Sequence, residues 1–492
     1  MHILIILGGI MNKKMIAYVL GYIMKVEAAL MLLPLIVSIY YKEKSGYAFV
    51  VAILLLVILG FAISFKKPKN TVIYAKEGFV IVALSWILLS AFGALPFFIS
   101  GEVTNYIDCF FEAVSGFTTT GSSILKDVEV LSKSLLFWRS FTHWVGGMGV
   151  LVFILAIIPL AEGRSMHLMR AEVPGPTVGK LVPKIKNTSM ILYGIYLAMT
   201  IIQVILLLMG GMPFFDSLLH TFGTAGTGGF GIKNNSVAFY NSAYIDGVIT
   251  IFMILFGINF NLYYFIIIGQ IRQAFKSEEL RLYLSVIAIS IISITINIVP
   301  YYKNVLEAFR YASFQVGSII TTTGYSTANF DLWPEFSKMI LLILMFLGAC
   351  AGSTAGGIKM ARLVVMYKSA IHHIKSMLHP RYVNSIHFEG KPVDNDTLKG
   401  INNYFILYML ILGMSLLFVS LDGFDFETTF SSVVTCLNNV GPGFGGVGPI
   451  SNFSELSNFS KLVLSFNMLV GRLEIFPIVL LFAPSIWKRR RA

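Results

Sequence analysis

The length and spacing of its apolar runs restrict this chain more than any other feature. Stretches such as VITIFMILFGINFNLYYFIIIG (248–269) and MILLILMFLGACAG (339–352) recur along the sequence. A helix crosses a bilayer with about 20 apolar residues, and such a helix satisfies all of its own backbone groups in lipid. Of the 492 residues 56% are hydrophobic and 13% charged, roughly half the charge of a soluble domain. The fold class expected is an all-α polytopic membrane protein. Its spans fall near 15–40, 46–65, 74–99, 134–160, 188–210, 244–270, 282–300, 336–376, 401–420 and 460–486. The eighth run is too long for one span and is interrupted by GACAGSTAGG (348–357).

Net charge is +12, and its distribution argues for topology rather than for a nucleic-acid partner. Basic residues gather at 65–70, 162–187, 358–381 and 487–492. Acids such as Glu102, Asp108, Glu112, Asp127, Asp422, Asp425 and Glu427 favour the other loops. The positive-inside rule makes the first set cytoplasmic, together with both termini. The three cysteines, Cys109, Cys350 and Cys436, lack metal-ligand spacing and read as small packed residues. The apolar start has its lysines after it and no cleavage site, so no cleaved signal peptide is expected.

Four external segments share one design: YIDCFFEAVSGFTTTGSS (106–123), FFDSLLHTFGTAGTGGFG (214–231), LEAFRYASFQVGSIITTTGYS (306–326) and FETTFSSVVTCLNNVGPGFGG (426–446). Each reads as an amphipathic half-helix followed by a small, polar, glycine-bearing turn. Span, half-helix, turn and span repeated four times is an internal duplication. It implies an extra N-terminal helix pair (1–71) and repeats at 72–185, 186–280, 281–399 and 400–492. Asp108 and Asp216 lie thirteen residues before Gly121 and Gly229; Glu427 lies fourteen before Gly441; the third copy has Tyr311 at thirteen and lacks the acid.

Non-helical backbone at membrane depth belongs where it lines a watery cavity. Rings of carbonyl oxygens can replace the water around a cation, and glycine lets backbones turn and approach closely. The turns carry no carboxylate, which favours a weakly hydrated monovalent ion over calcium or magnesium. Each half-helix would aim its partly negative C-terminal end at the pore. Asp108 and Asp216 are read as helix caps, with direct attraction of ions as the alternative.

SGFTTTG, HWVGGMGV, TTTGY, GACAGSTAGGIKMAR, NNVGPGFG and GRLEIFP together resemble the Trk/Ktr superfamily of potassium transporters. The N-terminal helix pair and the EVPGP…KLVPKIKNTS linker resemble its Trk branch. The resemblance implies channel-like potassium uptake across the bacterial cytoplasmic membrane, with rubidium permeant. It also implies a homodimer and a cytoplasmic nucleotide-binding regulatory ring, with no cofactor beyond the transported potassium. Carried over, the filter glycines are Gly121, Gly229, Gly324 and Gly441, with Gly228 as a rival for the second place. Thr119, Thr120, Thr322, Thr323, Asn439 and Val440 would supply further carbonyls, fourfold in plan and unequal in detail.

The family's gating loop falls on 348–357, with Gly348, Gly352, Ser353, Thr354, Gly356 and Gly357 letting the chain unwind; a flexible kink or tight helix packing is the plain alternative. Arg472 is costly at mid-span, by about 2.5–3.5 kcal/mol. It is expected to face the pore below the filter, or to pair with Glu474. Lys359 is either pore-facing, loop-anchoring or snorkelling. GPGFGG (441–446) matches a dinucleotide fingerprint only formally, since no strand precedes it. His143 is expected to pack, and His372 and His373 to belong to a basic cytoplasmic face. The rivals are the membrane subunit of a potassium-pumping ATPase and, from another class, a membrane-embedded transferase.

Overall fold

A computed structural model describes residues 11–149, 185–379 and 385–487. Most of the basic linker at 162–187 and the KRRRA ending lie outside the described residues. Among the described residues, six helical stretches are long and apolar enough to cross a membrane: Lys13–Tyr41, Gly46–Ser64, Ala75–Ile99, Ser189–Met209, Glu278–Tyr301 and Asn395–Asp422. Only 28–61% of their apolar windows is buried inside the protein, which leaves wide apolar faces for lipid. The chain is therefore the helical, multi-span membrane protein that its apolar runs require.

The half-helices are Tyr106–Phe117, Phe214–Gly226, Val305–Ile320 and Phe426–Asn438. The third runs 16 residues against 12 or 13 in the others. That extra turn explains the missing acid. The first turn of the third half-helix carries Glu307, seventeen residues before Gly324 rather than thirteen.

The spans after the second, third and fourth half-helices depart from a straight rod. The span after the first, Lys133–Gly147, is followed out to Gly149. The second consists of Ala243–Phe256 and Phe260–Ile267, bent by 93°. The third is Glu335–Phe346 and Met360–Leu378, separated by the glycine-rich stretch that interrupts the eighth run. The fourth ends at Arg472 and resumes at Phe476. The runs at 244–270 and 460–486 are thus broken helices rather than simple spans. Gly257 and Asn259 mark the first break. Ile475 marks the second, with φ 72° and ψ −58°, a rare conformation for a β-branched residue.

The breaks in the second and third spans satisfy each other. Freed backbone groups at a helix end need partners. The Cys350 amide donates to the Gly257 carbonyl (3.0 Å), and the Phe260 amide donates to the Gly352 carbonyl (3.1 Å). The Thr354 hydroxyl donates to the Phe256 carbonyl at 3.2 Å.

Ion pairs join neighbouring repeats at all four junctions. They are Glu129–Lys233 (2.8 Å), Asp246–Arg310 (2.8 Å), Glu427–Lys338 (2.9 Å) and Asp108–Lys461 (2.7 Å). Sequence reading took Asp108 and Asp216 as caps, and the structure corrects this. Asn105 caps the first half-helix, while Asp216 accepts a hydrogen bond from the Tyr240 hydroxyl at 2.7 Å. A short acid three residues into a helix reaches outward to a neighbouring repeat more readily than back to its own amides.

Candidate ion pathway

Each half-helix closes in the same way. A residue in the left-handed region follows it: Thr119 (φ 56°), Thr227 (φ 54°), Thr322 (φ 54°) and Asn439 (φ 57°). The next amide then reaches back five residues, from Thr120 to Ser115, Gly228 to Gly223, Thr323 to Ser318 and Val440 to Thr435, at 2.8–2.9 Å. This is the helix-ending pattern usually given to glycine or asparagine. The residue after it is Gly121, Gly229, Gly324 or Gly441, each with positive φ between 71° and 105°. Gly229, not Gly228, therefore occupies the position equivalent to the other three glycines.

The four glycines interlock in chain order. A Cβ added to Gly121 would stand 2.1 Å from the Gly228 carbonyl oxygen, and one on Gly229 would stand 1.8 Å from that of Thr323. On Gly324 it would meet the Val440 oxygen at 2.4 Å, and on Gly441 the Thr120 oxygen at 2.8 Å. Each glycine abuts the carbonyl just before the next glycine, and the fourth returns to the first. Four glycines and four carbonyls thus form one closed ring. Any side chain at a ring glycine would push a neighbouring carbonyl out of place. All four ring glycines line a cavity of about 220 Å³, together with residues of the loops that follow the turns.

Side chains brace the ring from behind. Thr120 accepts from Asn439 Nδ2 at 2.9 Å, which also donates to the Met468 carbonyl. The Ser122 hydroxyl donates to the Gly441 carbonyl at 3.0 Å. Buried Arg139 and Glu112 form an ion pair at 2.5 Å, and Arg139 also holds the Gly231 carbonyl. His143 donates from Nδ1 to Gly116 and accepts the Phe230 amide at Nε2, so its ring is a neutral wedge between two turns. Sequence reading anticipated the packing of His143 but missed the Glu112–Arg139 pair. A buried acid and base on two adjoining helices was the available signal.

The stretch 347–359 lies on the other side of the ring. It is no random kink. Leu347 and Ile358 form an isolated parallel bridge, closing the loop at its neck. Gly352 and Gly357 have positive φ, and the Gly356 amide donates to Thr322 Oγ1 at 2.7 Å. One threonine of the third turn thus touches both ring and loop. Gly348 and Ser353 belong to the same folded stretch, Ser353 donating to the Cys350 carbonyl.

Arg472 ends its helix beside this loop. Its guanidinium donates to the carbonyls of Thr354 (2.6 Å), Gly146 (2.5 Å) and Gly147 (2.7 Å). Three charge-assisted bonds to backbone oxygens, about 1.5–3 kcal/mol each, are a strong clasp. Glu474 pairs instead with Arg362. Lys359 is buried and turned back onto the Ala355 carbonyl, so it anchors the loop rather than snorkelling.

A bundle of apolar helices around four interlocked half-helix ends is the architecture of a helical membrane transporter. The family described as TrkH, cation transport protein, matches residues 45–489. The chain is 34% identical to the Trk system potassium uptake protein TrkH of Salmonella typhimurium, over 97% of this chain and all of that one. It is 32% identical to TrkG of Escherichia coli, over 97% of this chain and 99% of that one. The crystal structure of the potassium transporter TrkH from Vibrio parahaemolyticus superposes with a TM-score of 0.88 at 31% identity, covering 97% and 100% of the two chains. The chain belongs to the TrkH family of cation transport proteins. An enzyme of the transferase kind is set aside.

Proposed function

We propose that this protein is the membrane subunit of a Trk-type potassium uptake system of the bacterial cytoplasmic membrane. The observation that carries the reading is the closed ring of Gly121, Gly229, Gly324 and Gly441. Four carbonyl-bearing turns at one level, with no carboxylate among them, suit a dehydrated monovalent cation. Thr119, Thr120, Gly228, Thr322, Thr323, Asn439 and Val440 supply the remaining backbone oxygens of this filter. The four half-helices end at the ring and add their negative dipole ends. The same geometry supports a division into an N-terminal pair and four repeats.

Below the filter, the loop at 348–357 and Arg472 form the gate. Arg472 places a positive charge next to the path and ties the loop to the first repeat through Gly146 and Gly147. Opening requires these bonds to break. Uptake then follows the electrochemical gradient, with the inside-negative potential worth about 2.3 kcal/mol per charge per 100 mV. The family resemblance supports a homodimer, cytoplasmic termini and a cytoplasmic nucleotide-binding ring that would act on the gate.

Rubidium flux into liposomes containing the purified protein tests the reading. Flux blocked by excess potassium and little affected by sodium is expected. No flux with the regulatory ring either present or absent would overturn it.

A further inference from the structure

Glu279 is an acid at the start of the helix Glu278–Ile298, and it is buried. Its Oε1 accepts two backbone amides, from Ala351 at 2.6 Å and from Ala361 at 2.9 Å. Those residues flank the inner part of the loop, one in it and one just beyond its neck. A single carboxylate oxygen thus ties together both strands of a chain segment that has left its helix. Ionised acceptors of backbone amides make the stronger class of hydrogen bond.

The same helix start is held from outside by a small hairpin, strands His387–Phe388 and Lys391–Pro392. Glu389 at its tip accepts from the Ser277 hydroxyl (2.8 Å) and from the Glu279 amide (3.2 Å). Lys368 bridges the other side, donating to Glu278 and to the His387 carbonyl (2.8 Å). An apolar contact repeats the connection. Phe388 shares one buried cluster with Ala351, Ala361, Val364, Val365 and Ile401. Polar and apolar contacts therefore run independently from the hairpin to the residues that Glu279 grips.

We propose that Glu279 is a positioning residue for the intramembrane loop, and that the 385–393 hairpin sets its grip through Glu389 and Phe388. This rests on the reading of the loop as the gate, and it adds a lever on the basic side of the protein. Displacing the hairpin would draw on the start of the helix, loosen both amides and free the loop without touching the glycine ring.

The three cysteines report on this directly, because all are buried and only Cys350 lies in the loop. Thiol-labelling rates at each, read by mass spectrometry on the full-length protein in liposomes, are compared with rubidium flux. In Glu279→Ala, Cys350 should label about tenfold faster while Cys109 and Cys436 keep their rates, since the loop amides lose their acceptor. Glu279→Gln keeps an acceptor oxygen and should stay near the parent rate. Glu389→Ala, at a more exposed site, should accelerate Cys350 alone by about threefold. Unchanged Cys350 labelling in Glu279→Ala, or a joint rise of all three cysteines in both alanine variants, would overturn the inference. If Cys350 is freed while rubidium flux stays at the parent level, Glu279 positions the loop and it is the gate reading that fails.

Discussion

The glycine ring and the loop beneath it are both built from backbone and small residues, yet they are held in opposite ways. The ring closes on itself through main-chain contacts, each glycine against the next repeat's carbonyl, and ion pairs lock all four repeat junctions. The loop shares main-chain bonds with the break at Gly257–Phe260 and across its own neck, and beyond these it depends on single side-chain groups: Glu279 Oε1, Thr322 Oγ1, the Lys359 ammonium and the Arg472 guanidinium. A structure that must discriminate between ions of similar size profits from the first arrangement. One that must open and close profits from the second, because each side-chain tie can loosen without disturbing the ring.

That contrast can be broken most severely at the ring. Gly324→Ser places a side chain where a Cβ would stand 2.4 Å from the Val440 oxygen, at φ 87°. Left-handed backbone alone costs a non-glycine residue about 1–2 kcal/mol, and Val440 must also move. Potassium-over-sodium selectivity, measured by competitive flux, should fall by about thirtyfold, the equivalent of ~2 kcal/mol. Gly101→Ala is the control: its φ is 77° but a Cβ there meets nothing within 4 Å. It should lower stability slightly and leave selectivity intact.

On the loop side the expected changes are in rate rather than selectivity. Arg472→Ala removes three bonds to backbone carbonyls and the charge beside the path, and basal rubidium flux should rise by about tenfold. Selectivity should hold. Thr322→Val removes the hydroxyl that accepts the Gly356 amide while keeping the side chain's shape. A rise in flux of about threefold is expected, since one buried amide is left unpaired. If Thr322→Val also lowered selectivity, ring and loop would not be separable.

The smallest effect concerns the external surface. Asp331 lies in the loop after the third turn, and burial pushes its carboxyl up to about 6. A carboxyl raised in the folded state binds its proton more tightly there than when unfolded. Stability therefore declines as pH rises from about 4 to 6 and stays lower above that. Asp331→Asn should raise the melting temperature at pH 8 by about 2 °C and leave it unchanged at pH 4, as thermal denaturation in detergent can check.

Much of this contrast was legible in the sequence, and unevenly so. The ring was readable because its turns recur four times, and recurrence identifies Gly121, Gly229, Gly324 and Gly441 together. TGG carries two glycines of equal chemical merit; the thirteen-residue spacing from Asp216 favours Gly229, and the backbone angles agree. The loop announced itself through GACAGSTAGG, and Lys359 and Arg472 were legible beside it, but Glu279 was not. Glu279 sits in KSEEL, which looks like an ordinary acidic helix start, and its partners are backbone amides with no sequence signature. The bend at 257–259 hid inside an apolar run, where GINFN signals a break only once Gly257 is seen to accept an amide from Cys350. Asp108 misled for a related reason: thirteen residues fixed its place on the helix but not the direction in which its carboxylate turns.

The central claim is that a cation sits in the ring, and anomalous scattering from crystals grown in rubidium addresses it most directly. A peak on the axis among the Thr120, Gly228, Thr323 and Val440 carbonyls, lost in Gly324→Ser, is the predicted result. Ordered rubidium elsewhere on the path with none in an intact ring would contradict the account.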